Sequence, residues 1–476
     1  MGRSRALSAE ELAAVLARMP LAGPARRAAP HVRLMNHLWP ALPKLRQDGA
    51  DQVRGRIPHL TATVARRAYQ PQRAVLIPVP KVDGGARPAA LLTVEDRLVY
   101  DALVRHALRN AARAPTATTV FAPRGQHAHV AWTAFEAAVL DGSPAFVVVA
   151  DIADFGAHVS QAAVAAALER AGCDPAASSA VRTFLAAVMD SDVGVPQGVP
   201  VSAMLAEAVL AGADRGIADA GWAAFRCSDD VRIPASTRTE GEAALADVGA
   251  IVASLGLRLN PAKSQVLPAS DYRAAIGPTR TSARLWDALR GPFDGRIVDG
   301  RVGEGARWAL GRARIRYGGR RVTTAFDDAP PEIRRRRRLD VSRALEAFAA
   351  ARHPDALDVL PAVVAADPVV TPLAARYLRR VAPRAPDAAS RTAASLLGAP
   401  DLLASQRAWI FRALVSIADH LDEAVRRAAE VAAAGPDWVD CVEAIRLITA
   451  RGERPPLSPP AAVPAQFRDE FDLLLG

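Results

Sequence analysis

Cysteine is almost missing: three residues in 476, Cys173, Cys227 and Cys441, each far from the others. That spacing excludes a disulfide framework and a zinc knuckle. The nine histidines are equally scattered. His127 and His129 stand two apart in an expected loop, but no Cys or acidic cluster completes a metal site around them. No apolar run reaches membrane-spanning length. The first stretch, MGRSRALSAEELAAVLARM, has neither a long apolar core nor a small-residue cleavage site. It reads as an amphipathic helix capped by Ser8, not as an export signal. These absences lead to the expectation of a cytoplasmic protein with no membrane partner.

Alanine supplies much of the 50% apolar content, which predicts small-residue helices in close packing. Lys and Arg total 60 against 50 Asp and Glu, a net charge of +10. Residues 339–476 hold 15 Arg and no Lys against 18 Asp and Glu, so the positive excess lies entirely in the first 338 residues. Basic charge placed there suits a nucleic-acid partner, because phosphate contacts supply most non-specific affinity. A soluble protein rich in Arg and Ala has the same composition, so charge alone does not separate the two.

The length accommodates roughly two to four domains. Residues 1–65 have helical character, broken at Pro20, Pro30 and Pro40. An extended stretch at 74–80 leads into the loop KVDGGARP, where Gly84 and Gly85 suit a hairpin turn. A helix is expected over 94–112, and strands alternate with helices over 143–265. Residues 266–330 show no clear periodicity, and a basic run, Arg334 to Arg338, follows. Beyond it, apolar helical stretches fall near 341–351, 355–366, 369–381, 386–397, 401–418, 420–434 and 438–450. Paired, stacked helices of the HEAT type satisfy this pattern, and so does a compact helical bundle.

Two acidic sites stand out. In AFVVVADIADFGAHVS, an uninterrupted apolar run ends at Asp151, as at the end of a buried central strand. A carboxylate there projects into a cleft from a rigid backbone. FRCSDDVRI, at 225–233, reads as strand, tight turn, strand, with Asp229 and Asp230 at the turn. Adjacent carboxylates repel unless they are exposed, neutralised by bases or bridged by a cation. Each site alone is equally well an ordinary cap or acidic turn. Together they suit nucleotidyl transfer, in which two divalent ions activate a 3′-hydroxyl and hold a triphosphate between carboxylates from different strands.

The order of motifs resembles the reverse-transcriptase family over about residues 66–270. Gln70-Pro71 and the stretch Ile77 to Lys81 look like its first finger strand. Arg87-Pro88, followed by Thr93, Glu95, Asp96 and Arg97, resembles the second finger motif. Asp151 with Phe155 resembles the first palm motif, and GVPQGVPVSAMLAEAVL, at 194–210, the second. Arg226 to Asp230 resembles the aspartate hairpin, and LGLRLNPAKSQV, at 255–266, the motif that follows. The resemblance implies an α+β right-hand polymerase fold of fingers and palm, followed by an all-α HEAT-like repeat domain. The divisions expected are 1–65 for an N-terminal helical region, 66–270 for fingers and palm, 271–338 for a connecting or thumb-like region, and 339–476 for the helical repeat.

The same resemblance implies roles. Asp151, the residue after it, Ile152, and Asp229 and Asp230 would hold Mg²⁺, with Mn²⁺ able to replace it. Lys81 and Arg87 would clamp the triphosphate, Arg in bidentate fashion. Gln197 and Gly198 would line the nascent base pair, the glycine permitting close approach. Lys263 would meet the leaving pyrophosphate as a general acid. Two departures matter. Cys227 stands where the hairpin usually has Tyr, two residues before its first Asp. Gly156 stands where an aromatic usually blocks a ribose 2′-hydroxyl, with Phe155 just before it.

No endonuclease-like His/Asn/Cys cluster, valine-threonine-glycine retron signature, or acidic integrase or ribonuclease H constellation follows the palm. The layout of palm then helical tail is similar to abortive-infection and other defence-associated reverse transcriptases. That implies an antiviral role, dNTP substrates, and RNA or single-stranded DNA as partners. Synthesis in that group is template-free, protein-primed or directed by a dedicated non-coding RNA. A homo-oligomer is compatible with this reading. The alternatives are a retron-like or intron-derived enzyme copying a structured RNA, and a catalytically weak nucleic-acid-binding scaffold.

Five adjacent arginines, Arg334 to Arg338, cannot share a core and are expected to touch the nucleic-acid backbone. Neutralising all five should weaken binding to unrelated sequences alike. It should also flatten the salt dependence by about 0.7–0.9 in log–log slope for each phosphate that is no longer neutralised. An unchanged slope in a filter-binding titration would assign the run to a solvated linker.

Overall fold

A computed structural model describes residues 7–19, 50–81, 85–109, 111, 118–121, 128–276, 345–346, 348–453 and 463–465. Arg334 to Arg338, His127, Gly84 and Tyr317 lie outside the described residues. By spatial contact the chain groups into two units. The first is Met1–Met35, Asp48–Val75 and Ala90–Gly277; the second is Asn36–Gln47, Leu76–Ala89 and Pro278–Gly476.

The first unit is built on a five-stranded sheet in the order β3-β5-β6-β4-β7. Its strands are β3 (Thr119–Val120), β4 (Phe146–Asp151), β5 (Phe225–Cys227), β6 (Asp230–Ala235) and β7 (Gln265–Pro268). β4 lies between β6 and β7, antiparallel to both. Val147, Val148 and Ala150 are fully buried, because a strand covered on both faces needs apolar residues at successive positions and not alternate ones. β5 and β6 form the expected hairpin. β3 adds in parallel to β5.

The helices of this unit carry sequence signals at their starts. α1 (Ala9–Arg18) begins at a Ser8–Glu11 capping box, and Leu7 N–H donates to Thr183 Oγ1 at 2.7 Å. α2 is Ala50–Ala65. α3 (Val94–Ala107) is capped by Thr93, and it ends five residues short of the expected 112. The next helices are α4 (Ala128–Ala138), the single turn α5 (Phe155–His158), and α6 (Gln161–Arg170). After them come α7 (Pro175–Met189), α8 (Pro200–Asp219) and α9 (Arg238–Ser254). Asp174 caps α7, with proline at its first turn. α9 packs on β4, β6 and β7. A Cβ on Gly241 would sit 2.7 Å from Val266 Cγ1, so glycine is what lets α9 approach β7. One cluster under the sheet joins Val139, Val147, Val149, Ala269, Tyr272 and Ile276.

β1 (Val75–Pro80) and β2 (Ala86–Leu91) form a two-stranded sheet, closed where Lys81 N–H donates to Gly85 O at 3.1 Å. The second unit takes in the residues Leu76–Ala89 of this hairpin together with the helical tail, and Ser405 Oγ donates to Pro78 O at 2.8 Å. The tail helices are α10 (Leu360–Ala366), α11 (Thr371–Val381), α12 (Pro386–Leu397), α13 (Ala404–Leu414), α14 (Glu423–Ala433) and α15 (Trp438–Ala450). Alternate helices stack: α10 on α12 and α12 on α14 form one row, α11 on α13 and α13 on α15 the other. The stretch expected as one helix over 401–418 breaks after Leu414, where a 3₁₀ segment runs through Ile417 at a non-helical φ of −129°. Buried Tyr377 ties the start of the array together. Its hydroxyl accepts from Ala356 N–H and donates to His353 O.

Candidate active site

The end of β4 is pinned from both sides. On one side the register sets Asp151 opposite Asp230, and Ile152 N–H donates to Asp229 O at 3.1 Å. On the other, Asn260 N–H donates to Asp151 O at 2.7 Å, and Asp151 N–H donates to Ser264 Oγ at 3.2 Å. Ile152 also bridges to Leu259. The strand therefore cannot slip without breaking both flanks, and a carboxylate at its end is rigidly placed. Asp229 sits in the β5–β6 turn behind Ser228, whose φ is +57°, a left-handed conformation uncommon outside glycine.

The electrostatics are those of crowded acids. Burial pushes the Asp229 carboxyl up to about 6, and the charges of Asp230 and Asp151 add to it. Burial also raises Asp151. The Lys263 charge and a hydrogen bond from the Asn260 side chain oppose that rise, while Asp230 reinforces it. Asp230 has its own cation: Arg232 Nη2 donates to its Oδ1 at 3.4 Å. The Arg232 guanidinium lies 5.1 Å from the Phe135 ring centroid and is 7% exposed. Two acids raised by burial and by neighbouring carboxylate charge are stabilised in their ionised form by a shared cation.

No three His, Cys, Asp or Glu side chains form a metal-holding group among the described residues. Mg²⁺ does not require one, since it is commonly held by one or two carboxylates with substrate phosphates and water completing six positions. The Asp151 and Asp229 carboxylates fit that kind of donor set, and the Ile152 carbonyl is the further oxygen expected of it. Asp230 is the least available of the expected ligands because Arg232 engages it.

A second wall is built from 194–198. Val195 N–H donates to Gly156 O, Gly194 N–H to Val159 O, and Ala90 N–H to Gln197 O. Ser202 Oγ donates to Pro196 O at 2.7 Å, and the buried Tyr100 hydroxyl lies 3.0 Å from Ser202 Oγ. Gly198 has φ +84°, so a glycine is needed there for the turn into α8. A Cβ on Gly156 would lie 3.0 Å from Gln197 Cγ. The space beside Gly156 is thus taken by a glutamine side chain from the neighbouring loop. Phe155 is 7% exposed and packs inward.

The fold brings Asp151, Ile152, Asp229, Asp230 and Lys263 together, with Phe155 and Gly156 on one following segment and Gln197 and Gly198 on a second that packs against it. Lys81 and the exposed Arg87 are carried on the hairpin of the second unit. Sequence pattern alone passes over Asn260, Ser264 and Arg232, and gives Arg226 no role beyond the motif. A signal for Arg226 is nonetheless present: Glu207 and Asp214 are seven apart on one helix, hence on one face, in an otherwise apolar stretch.

Residues 79–278 match the family model for reverse transcriptase (RNA-dependent DNA polymerase). The match covers less than half of the chain. No curated protein matches it.

Gly156→Tyr is expected to raise the dNTP over rNTP ratio of kcat/KM, through an aromatic wall against the 2′-hydroxyl. The contact with Gln197 adds a condition: the tyrosine must displace that side chain. Gly156→Tyr with Gln197→Ala should therefore recover activity that the single variant loses to crowding. An unchanged ratio in an active variant would place Gly156 away from the sugar.

Proposed function

Given that residues 79–278 form a reverse transcriptase domain, an RNA-directed DNA polymerase type of nucleotidyltransferase, we propose that the chain synthesises DNA from dNTPs at Asp151 and Asp229. The observation that carries this reading is the meeting of these two carboxylates, from the end of β4 and the β5–β6 turn, each raised by burial and by neighbouring acids. Asp151 and Asp229, with the Ile152 carbonyl, would hold two Mg²⁺ ions. When bound, the ions supply charge that stabilises the transferred phosphoryl group and the attacking oxygen. Asp230 orients the hairpin through Arg232. Lys263, close enough to Asp151 to oppose the rise of its carboxyl, stands by the leaving pyrophosphate. Gln197 and Gly198 border the nucleotide.

The order of polymerase domain then helical tail supports a defence-associated enzyme. The two rows of alternate helices in the tail support a HEAT-like repeat. Burial bears on the primer. Tyr69, Tyr100, Tyr272 and Tyr377 are all buried, and their hydroxyls are engaged by Asp96, Ser202, Glu136 O and His353 O. A protein primer needs a hydroxyl that reaches the active site, so these four favour priming on nucleic acid or on another side chain.

Asp151→Asn and Asp229→Asn should each lower nucleotide incorporation by at least about 100-fold. Each keeps side-chain volume and removes the charge that holds the ion, so fold and nucleic-acid binding should stay nearly intact. The assay is labelled-nucleotide incorporation in Mg²⁺ or Mn²⁺, with and without template and primer. Parental rates in a folded double variant would remove the two carboxylates from the chemistry. Neutralising a merely crowded acidic turn would instead be harmless or slightly stabilising.

A further inference from the structure

Arg226, on β5, is the largest fully buried side chain among the described residues, with 0% exposure. A charge so far from water needs every donor satisfied. Arg226 achieves this. Nε donates to Asp214 Oδ1 at 2.7 Å and Nη2 to Asp214 Oδ2 at 2.9 Å. Nη1 and Nη2 each donate to the Glu207 carboxylate at 3.0 Å. The remaining Nη1 proton goes to Ser228 O at 2.8 Å. All five N–H donors of the guanidinium are used. Burial opposes the charge, and the hydrogen bonds to Asp214 and Glu207 outweigh it.

The position of this knot matters. Ser228 is the residue at φ +57° immediately before Asp229. Its carbonyl is held by Arg226, so the left-handed turn that presents Asp229 is fixed from the buried side. Asp214 and Glu207 belong to α8, the helix that starts directly after the Gly194–Gly198 loop. One side chain therefore ties the acidic turn to the helix that carries the Gln197 loop. Lysine could not replace it, since a single ammonium with three protons cannot fork to two carboxylates and also reach a carbonyl.

We propose that Arg226 is a positioning residue for nucleotidyl transfer, holding Asp229 in metal-binding geometry through the Ser228 carbonyl, with Asp214 and Glu207 as its anchors. This rests on the assignment of Asp229 as a metal-binding carboxylate.

The test is Arg226→Lys in the full chain. Parent and variant are compared by steady-state incorporation at varied Mg²⁺, and by electron paramagnetic resonance of free Mn²⁺, which reads metal binding without turnover. The Mg²⁺ needed for half-maximal rate and the Mn²⁺ dissociation constant should both rise about 10- to 100-fold, while KM for dNTP at saturating Mg²⁺ stays within about threefold. A merely structural role would lower the melting temperature and leave metal requirement and Mn²⁺ affinity unchanged, which would overturn the proposal. If Arg226→Lys does not fold, Glu207→Gln, which keeps an accepting oxygen and removes one anchor's charge, should show the same shift in smaller degree. An unchanged metal requirement in folded Glu207→Gln would then overturn it. A parent that incorporates no nucleotide would reject the polymerase reading, and the Mn²⁺ comparison would still decide the role of Arg226.

Discussion

Everything in the first unit depends on bringing two carboxylates together at the end of a buried strand, against their mutual repulsion and their loss of water. β4 can do this because it is apolar on both faces and flanked by a partner strand on each side. Its backbone is fixed up to Asp151 and just beyond, where Ile152 is bonded to Asp229 O and Asp151 O to Asn260 N–H. The repulsion then falls on groups that cannot move apart. Protons or a metal ion must relieve it, which is why burial and neighbouring charge raise the carboxyl of Asp229. The same constraint explains the basic residues around it: Lys263 beside Asp151, Arg232 beside Asp230, and Arg226 behind the turn.

Two arginines divide the support of the hairpin between its faces. Arg226 pairs across the sheet with Val231 and Arg232 with Phe225, so they point to opposite sides. One reaches down to α8, and the other reaches along β6 to Asp230. Removing one partner from a buried ion pair typically costs about 3–5 kcal/mol, because the other charge is left unpaired. Such groups hold a geometry better than they add stability. That suits a turn proposed to keep one carboxylate in place.

The parts of this molecule that are legible in the sequence are those written in local pattern. The run FVVVA predicts a central strand ending at Asp151, and residues 225–233 predict a hairpin with its acids at the turn. The punctuation APDA and GAPD bounds α12 at the expected residues, Pro386–Leu397. What is hidden depends on contacts distant in sequence. Nothing local to Gly156 shows that Gln197 fills its space. Neither does the hairpin sequence show that Leu76–Ala89 groups with the helical tail, which follows from contacts such as Ser405 to Pro78 across more than three hundred residues. Asp230 reads as the twin of Asp229 until the register puts Arg232 beside it.

In the proposed reaction, catalysis depends on an ion that Asp151 and Asp229 would hold jointly. The most direct measurement is a crystal structure with Mn²⁺ and a non-hydrolysable dNTP analogue, with the ion located by its anomalous scattering. The expected result is an anomalous peak about 2.1 Å from a carboxylate oxygen of each residue, with nucleotide phosphate oxygens completing the shell. A peak bound elsewhere, with both carboxylates free of metal and the analogue in place, would contradict it.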